Sequence, residues 1–312
     1  MKPNPTVSII MPAYNASATL TASVRSAQAQ SLQNWELIIV DDGSTDDTAQ
    51  VALRLADLDS RITVLQRPNR GPSAARNVGA SIASADILAF LDADDFWASE
   101  RLDGMVKAFK VLPKAGVLFS RTRFIDAESL KPGTLTPHHA RLTPTDLMSE
   151  NALCSTSNIV CRSATFHATG GFTPGLNYAE DQDWLLRVAL ENKWHILGLD
   201  QEWFFYRSSE HSQSSDLNAM RDGWLRMVGR ACLDFPETAP EAAQRAYGPI
   251  HRQLARRALR MAKPRLALGY LKLALQHDPL MLVRQPKRTA LTLAGSLLSL
   301  IPSKALKELV AR

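Results

Sequence analysis

Four short apolar runs, each closed by polar or acidic residues, constrain what this chain can fold into. Residues 7–11 stop at Pro12, residues 37–40 at Asp41-Asp42-Gly43, and residues 87–91 at Asp92-Ala93-Asp94-Asp95, with a further run at 62–65. Runs of four or five apolar residues without strict polar alternation read as strands buried on both faces. Between them lie helix-compatible stretches at 18–29, up to about 57, and at 74–83. The Ser44-Thr45-Asp46-Asp47 cluster supplies an N-cap for the second stretch, with Asp46 turning the chain, and Gly71-Pro72-Ser73 opens the third. Strands alternating with helices predict an α/β fold, a parallel sheet covered on both faces. In such sheets ligands bind beyond the carboxyl ends of the strands. There the sequence places Tyr14-Asn15, Asp41-Asp42 and residues 92–95, so three strand ends direct polar groups at one crevice.

The rest of the chain is less uniform. Between 115 and 210 the reading is a strand at 157–161, a Gly170-Gly171 turn, a helix over about 181–191 and a strand at 203–207. After about residue 216 the pattern is helical, with a hairpin of 253–261 and 265–276 broken by Lys263-Pro264. Charge is divided unevenly. Residues 245–312 carry 14 Lys and Arg against 2 Asp and Glu, whereas residues 1–244 carry 22 against 29.

Cys154, Cys161 and Cys232 make neither a disulfide framework nor the paired spacing of a zinc site. The first apolar run is too short for a signal-peptide core, and no stretch reaches the roughly 20 apolar residues of a membrane span. These features predict a cytoplasmic protein.

Asp92-Ala93-Asp94 places two carboxylates directly after a buried strand, where they can hold a hard divalent cation that neutralises a diphosphate. Residues 7–15 (VSIIMPAYN), 36–46 (ELIIVDDGSTD), 71–79 (GPSAARNVG), 91–95 (LDADD) and 179–187 (AEDQDWLLR) occur in order. Together they resemble the motif series of glycosyltransferase family 2, over about residues 6–210. The resemblance implies a GT-A fold, a Rossmann-like nucleotide-binding α/β/α sandwich, within a catalytic region at 1–212. Residues 1–115 would be its nucleotide-sugar half and 116–212 its acceptor half, with 213–312 a helical, basic C-terminal region. It also implies transfer with inversion from a nucleoside-diphosphate sugar, UDP-linked by family frequency, to a glycan or lipid-linked acceptor in cell-surface polysaccharide synthesis. Pro12, Ala13 and Tyr14 would then line the nucleoside pocket, and Asp42 or Asp41 would contact the base. Arg76 would sit near the nucleotide and Asp92 near the ribose or sugar. Asp94 would bind Mn2+ or Mg2+, and Asp181 would be the catalytic base.

Other conspicuous residues read as structural. Asp183 suits a helix first turn, Trp97 and Trp184 suit packing, and His138-His139 suits a solvated loop. His211 follows Tyr206-Arg207 with a spacing that departs from the family's common form, and its role stays open. A nucleotidyltransferase would show a glycine-rich phosphate loop near the first strand, which Pro12-Ala13-Tyr14-Asn15 lacks. A silent scaffold would show decayed acids, whereas Asp42, Asp94 and Asp181 are present. The apolar segment 289–301, flanked by Arg284, Lys287, Arg288, Lys304 and Lys307, fits either an interfacial membrane helix or a core helix. With almost no aromatic residues for base stacking, the tail does not read as a nucleic-acid binder.

Overall fold

The computed structural model describes residues 4–126, 129, 131–149, 151–176, 179–208, 216–284 and 286–300. The chain divides into two compact units, residues 1–143 with 152–210, and residues 144–151 with 211–312.

The first unit is built on strands β1 (Val7–Ala13), β2 (Trp35–Asp41), β3 (Ile62–Gln66), β4 (Ile87–Phe90), β5 (Phe96–Trp97), β6 (Ala115–Asp126), β7 (Pro132–Leu135), β8 (Val160–Arg162) and β9 (His195–Ser208). Its helices are α1 (Leu20–Gln28), α2 (Thr48–Leu58), α3 (Pro72–Ile82), α4 (Arg101–Val111), α6 (Ser163–Ala168) and α7 (Glu180–Leu190). The second unit holds α5 (Pro144–Ser149), α8 (Leu217–Asp234), α9 (Ala239–Arg260), α10 (Pro264–His277), α11 (Met281–Arg284) and α12 (Pro286–Leu298).

The sheet runs β3-β2-β1-β4-β8-β6-β9-β5, with β7 on the side of β6. Its first four strands are parallel, as the uninterrupted apolar runs require. The remainder is mixed: β8 is antiparallel to both β4 and β6, and β9 is parallel to β6. Both faces of the parallel part are covered. Val7, Ile9 and Met11 of β1 and Leu37 and Ile39 of β2 pack with Leu20 and Val24 of α1 and with Leu102 and Met105 of α4. The alternate residues Ile10 and Val40 turn the other way and meet α3 at Gly79, where an added Cβ would lie 2.5 Å from Ile10 Cγ2.

Two local expectations are corrected. Residues 157–161 do not form one strand, because a single 3-10 turn (Thr156–Asn158) precedes β8. The Asn158 side chain hydrogen-bonds the Ser120 and Leu153 carbonyls, which holds that stretch as a turn. The helix read over 253–261 begins at Ala239 and passes through Pro249, kept continuous by the buried face of Ala246, Ile250 and Leu254. Among the described residues, no helix is long and apolar enough to cross a membrane.

Candidate active site

The parallel register brings Ala13 alongside Asp41. The Asp42 N–H donates to the Ala13 carbonyl at 2.8 Å, and the Leu91 N–H to the Ile10 carbonyl at 3.0 Å. The chain builds outward from β1 through β2 to β3, then returns to place β4 on the other side of β1. A crevice at such a reversal is where α/β sheets bind ligands. At its edge Pro12 is half-buried, Ala13 is buried and Tyr14 is 52% exposed. Asn15 adopts φ 48°, and its side-chain oxygen accepts from the Thr45 N–H at 2.9 Å. That bond fixes the turn which leaves Tyr14 outward. Asp41 and Asp42 are both buried. Asp41 accepts from the Ser44 N–H at 3.2 Å. Asp42 accepts from the Gly71 N–H at 2.7 Å and pairs with Arg67 at 3.2 Å, so it ties the second strand end to the start of α3.

Beyond β4 the acids crowd together. Arg76 of α3, only 4% exposed, donates to Asp92 Oδ1 at 2.6 Å and to Glu180 Oε1 at 3.4 Å. Burial alone would lower the pKa of its guanidinium, but Asp92 and Glu180 more than offset this and raise it. The Ser155 hydroxyl lies 3.3 Å from both Asp92 Oδ2 and Asp95 Oδ2. The Ser157 hydroxyl accepts the Asp92 N–H at 2.9 Å, and Asp95 accepts the Arg207 N–H at 3.1 Å.

These acids repel one another. Asp94 is open to solvent yet closely surrounded by protein, and its carboxyl is pushed up to about 6, first by desolvation and then by the Asp92 charge. Burial, then Asp94 and Asp92, drives Asp95 well above the usual carboxylate range. Glu180 rises to about 7 through burial and the neighbouring Asp181. The Tyr206 hydroxyl is raised as well, by burial and then by Asp95, Asp94 and Asp92. Asp181 is buried in the first turn of α7, with Oδ1 accepting from the Gln182 N–H at 2.8 Å. It follows Ala179, which sits at φ 62°, a conformation that costs a non-glycine residue about 1–3 kcal/mol.

Asp92, Arg76, Asp94 and Asp181 thus belong to one electrostatic cluster, while Tyr14, Asp41 and Asp42 lie at neighbouring strand ends. The sequence reading assigned no role to Glu180, Asp95, Ser155 or Arg207. Glu180 and Asp95 adjoin motif acids, which is a usable signal. Ser155 carries none. Trp97 and Trp184 are buried, with their indole N–H groups donating to the Ser157 carbonyl and the Thr169 hydroxyl. Asp183 accepts from Thr173 and pairs with Arg187. Asp46 accepts from the Thr48 N–H, and exposed His138 meets the Gly198 carbonyl. His211 lies outside the described residues.

Among the described residues no three His, Cys, Asp or Glu side chains form a metal-holding group. A cation of the magnesium class needs fewer, since it takes one or two carboxylates and completes its shell with phosphate oxygens and water. Asp94, accessible within an excess of negative charge, fits that role. Asp95, buried and already accepting an N–H, does not.

Residues 8–169 match the family Glycosyl transferase family 2, just over half of the chain. This chain belongs to glycosyltransferase family 2. The chain is 46% identical over 100 residues to a glycosyltransferase of Haemophilus influenzae, a match covering 32% of this chain and 40% of that one. It is 30% identical over 189 residues to the Escherichia coli UDP-Glc:alpha-D-GlcNAc-diphosphoundecaprenol beta-1,3-glucosyltransferase WfaP, covering 60% of this chain and 70% of that relative. A second such E. coli enzyme, WfgD, is 44% identical over 98 residues, covering 31% of this chain and 38% of its own length. The chain therefore spans about two fifths of the Haemophilus protein and of WfgD.

Solved structures show the same architecture. S. aureus TarS 1-349 in complex with UDP superposes with TM-score 0.62 at 20% identity, over 94% of this chain and 88% of that one. The mannosyltransferase PcManGT from Pyrobaculum calidifontis, in complex with GDP-Man and Mn2+, gives TM-score 0.58 at 18% identity, over 96% and 88%. This family-2 chain thus has a GT-A fold followed by C-terminal helices.

Proposed function

We propose that this transferase moves a sugar, with inversion, from a UDP-sugar to the hydroxyl of a lipid-linked glycan, at the cytoplasmic face of the cell membrane, in cell-surface polysaccharide synthesis. The observation that carries the reading is Arg76, which reaches both Asp92 after β4 and Glu180 at the start of α7. It draws the acids of the leaving-group side and those of the acceptor side into one cluster, although the two segments lie far apart in sequence. The UDP and UDP-GlcNAc complexes of TarS and the UDP-Glc donors named for WfaP and WfgD support uridine, and the diphosphoundecaprenol acceptors of the latter two support a lipid-linked acceptor. The GDP-Man complex of PcManGT keeps guanosine as the competing donor base.

In this reading Pro12, Ala13 and Tyr14 border the nucleoside, with Asp41 or Asp42 toward the base. Arg76 holds Asp92 in place near the ribose or sugar. Asp181 takes the proton from the acceptor hydroxyl as that oxygen attacks the anomeric carbon on the face opposite the diphosphate, help worth about 10²–10⁴ in rate. Asp94 would hold Mn2+ or Mg2+, which when bound supplies Lewis-acid stabilisation of the departing diphosphate. A diphosphate leaves without being protonated, so the site needs no carboxylic acid on the leaving side, unlike a glycosidase.

Calorimetric titration with UDP, GDP and dTDP, with and without Mn2+, tests the reading. Mn2+-dependent binding of UDP, lost in Asp94→Ala, is the expected result. Asp181→Asn should bind UDP normally while turnover falls by about 10²–10⁴. Failure of every nucleotide to bind overturns the proposal.

A further inference from the structure

Helix α12 is built inside out. Its buried residues are the small polar Thr289, Thr292 and Ser296, and Leu293 packs against the core around Leu254 and Leu271, while the other leucines of the helix face solvent, with Leu291 74% exposed and Leu297 and Leu298 about half exposed. Positions 287, 291, 294 and 298 fall along one helical stripe (Lys, Leu, Ala, Leu), and positions 289, 292 and 296 along the opposite side. The inward face is self-consistent. The Thr292 hydroxyl donates to the Arg288 carbonyl at 2.8 Å and the Ser296 hydroxyl to the Thr292 carbonyl at 2.7 Å, so no hydroxyl of this pair is buried unsatisfied. The small side chains also allow close approach, since a Cβ on Gly295 would lie 3.3 Å from Leu259 of α9. Among the described residues, the stripe of Leu291 and Leu298 is left without such a partner. On α11 just before it, Leu282 and Val283 are exposed too, Val283 at 76%.

What covers this face is indicated by its charge. Between residues 279 and 300 there is no Asp or Glu, whereas Lys287 and Arg288 are exposed, as is Arg284, which pairs with Asp278 at 3.3 Å. A cleft of about 470 Å³ in the same unit is lined by Lys263, Arg265, Leu266 and Leu300, again cations beside leucines. A second copy of the chain docking through the same face would bring like charge against like charge. Nucleic acid would match the cations but not the leucines. An anionic lipid surface matches both, because leucines enter the acyl boundary while the cations meet headgroup phosphates.

We infer that α11 and α12 form a membrane-docking face that inserts into the interface of an anionic bilayer. The inference deepens the lipid-linked acceptor reading and rests on it for its biological sense, but it is tested without donor or acceptor. The full chain is sedimented with vesicles of phosphatidylcholine alone and of phosphatidylcholine with phosphatidylglycerol. Binding is expected to the second only, weakening about fivefold for each cation removed in Lys287→Gln and Arg288→Gln. The double variant Leu291→Ser, Leu298→Ser should lose roughly tenfold or more with its helical circular dichroism unchanged.

Equal binding to neutral vesicles, no binding to either, or indifference to the leucine substitutions overturns the proposal. So does a leucine-dependent dimer or capture of an acidic protein in place of vesicle binding. UDP titration of the same samples separates the two readings. UDP binding without vesicle binding sinks only the docking face, and the reverse sinks only the transferase site.

Discussion

Glu180 lies 3.4 Å from the Arg76 guanidinium, yet burial and the Asp181 charge outweigh that pairing and lift its carboxyl from 4.5 to about 7. Between those values the folded protein keeps a proton that the unfolded chain has released. Its stabilising contribution is full below about pH 4.5 and is lost as pH rises through about 7. Glu180→Gln should abolish that slope, leaving the variant more stable than the wild type at pH 8 by on the order of 1–3 kcal/mol. Thermal melts across pH 5 to 8 check this, and parallel profiles for the two proteins refute it. Asp94 bears on binding instead. Lifted to about 6, it must lose its proton to accept a metal. Mn2+-dependent UDP affinity should therefore fall below about pH 6, approaching tenfold per unit. An affinity that stays flat down to pH 5 would remove Asp94 from the metal site. Asp94 could be read from its motif because its chemistry resides in its own side chain. Ser155 could not, since its interest lies wholly in reaching Asp92 and Asp95 from a turn 63 and 60 residues away.

Among the elements, α3 carries the tightest constraint, since it presents Arg76 to the acids while pressing its backbone against β1 and β2. A methyl group at Gly79 would meet Ile10 Cγ2 at 2.5 Å and Val40 Cγ2 at 3.3 Å, both on β-branched side chains with little freedom to move. Gly79→Ala should cost about 1–3 kcal/mol and also weaken UDP binding, because Arg76 stands one turn earlier on the same helix. Urea melts and calorimetry check the pair of effects, and an unaltered midpoint would show that the helix has slack. Of the first four strands, β1, β2 and β4 were legible because burial on both faces leaves a nearly unbroken apolar run, and the edge strand β3 through its short β-branched run. β6 was not, since Gly116, Arg121 and Arg123 interrupt its pattern. Neither was the turn at 156–158, where Asn158 bonds Ser120 and buried Arg101 donates to the Asn158 carbonyl at 2.9 Å. Among the described residues no carboxylate pairs with Arg101, and burial lowers it to about 9. Contacts of that kind leave no period in a sequence.

The molecule as a whole separates its charges as it separates its proposed tasks, with the acids around the crevice of the first unit and the cations concentrated after residue 245. Substitutions should separate likewise. Lys287→Gln with Arg288→Gln should leave UDP affinity within about twofold while weakening vesicle binding, and Asp94→Ala should do the reverse. Paired titration and sedimentation of both variants measure this, and cross-effects in either direction contradict it. The sheet order also carries a consequence for biosynthesis. β9 lies between β6 and β5, and Asp95 receives the N–H of Arg207, made 112 residues later. At a synthesis rate of about 5–20 residues per second, a nascent chain waits roughly 6–22 seconds between making that acid and making its donor. Throughout that interval the crevice is unfinished on the ribosome, so a chain whose translation stops before β9 carries nearly every motif of the family and no completed sheet to hold them.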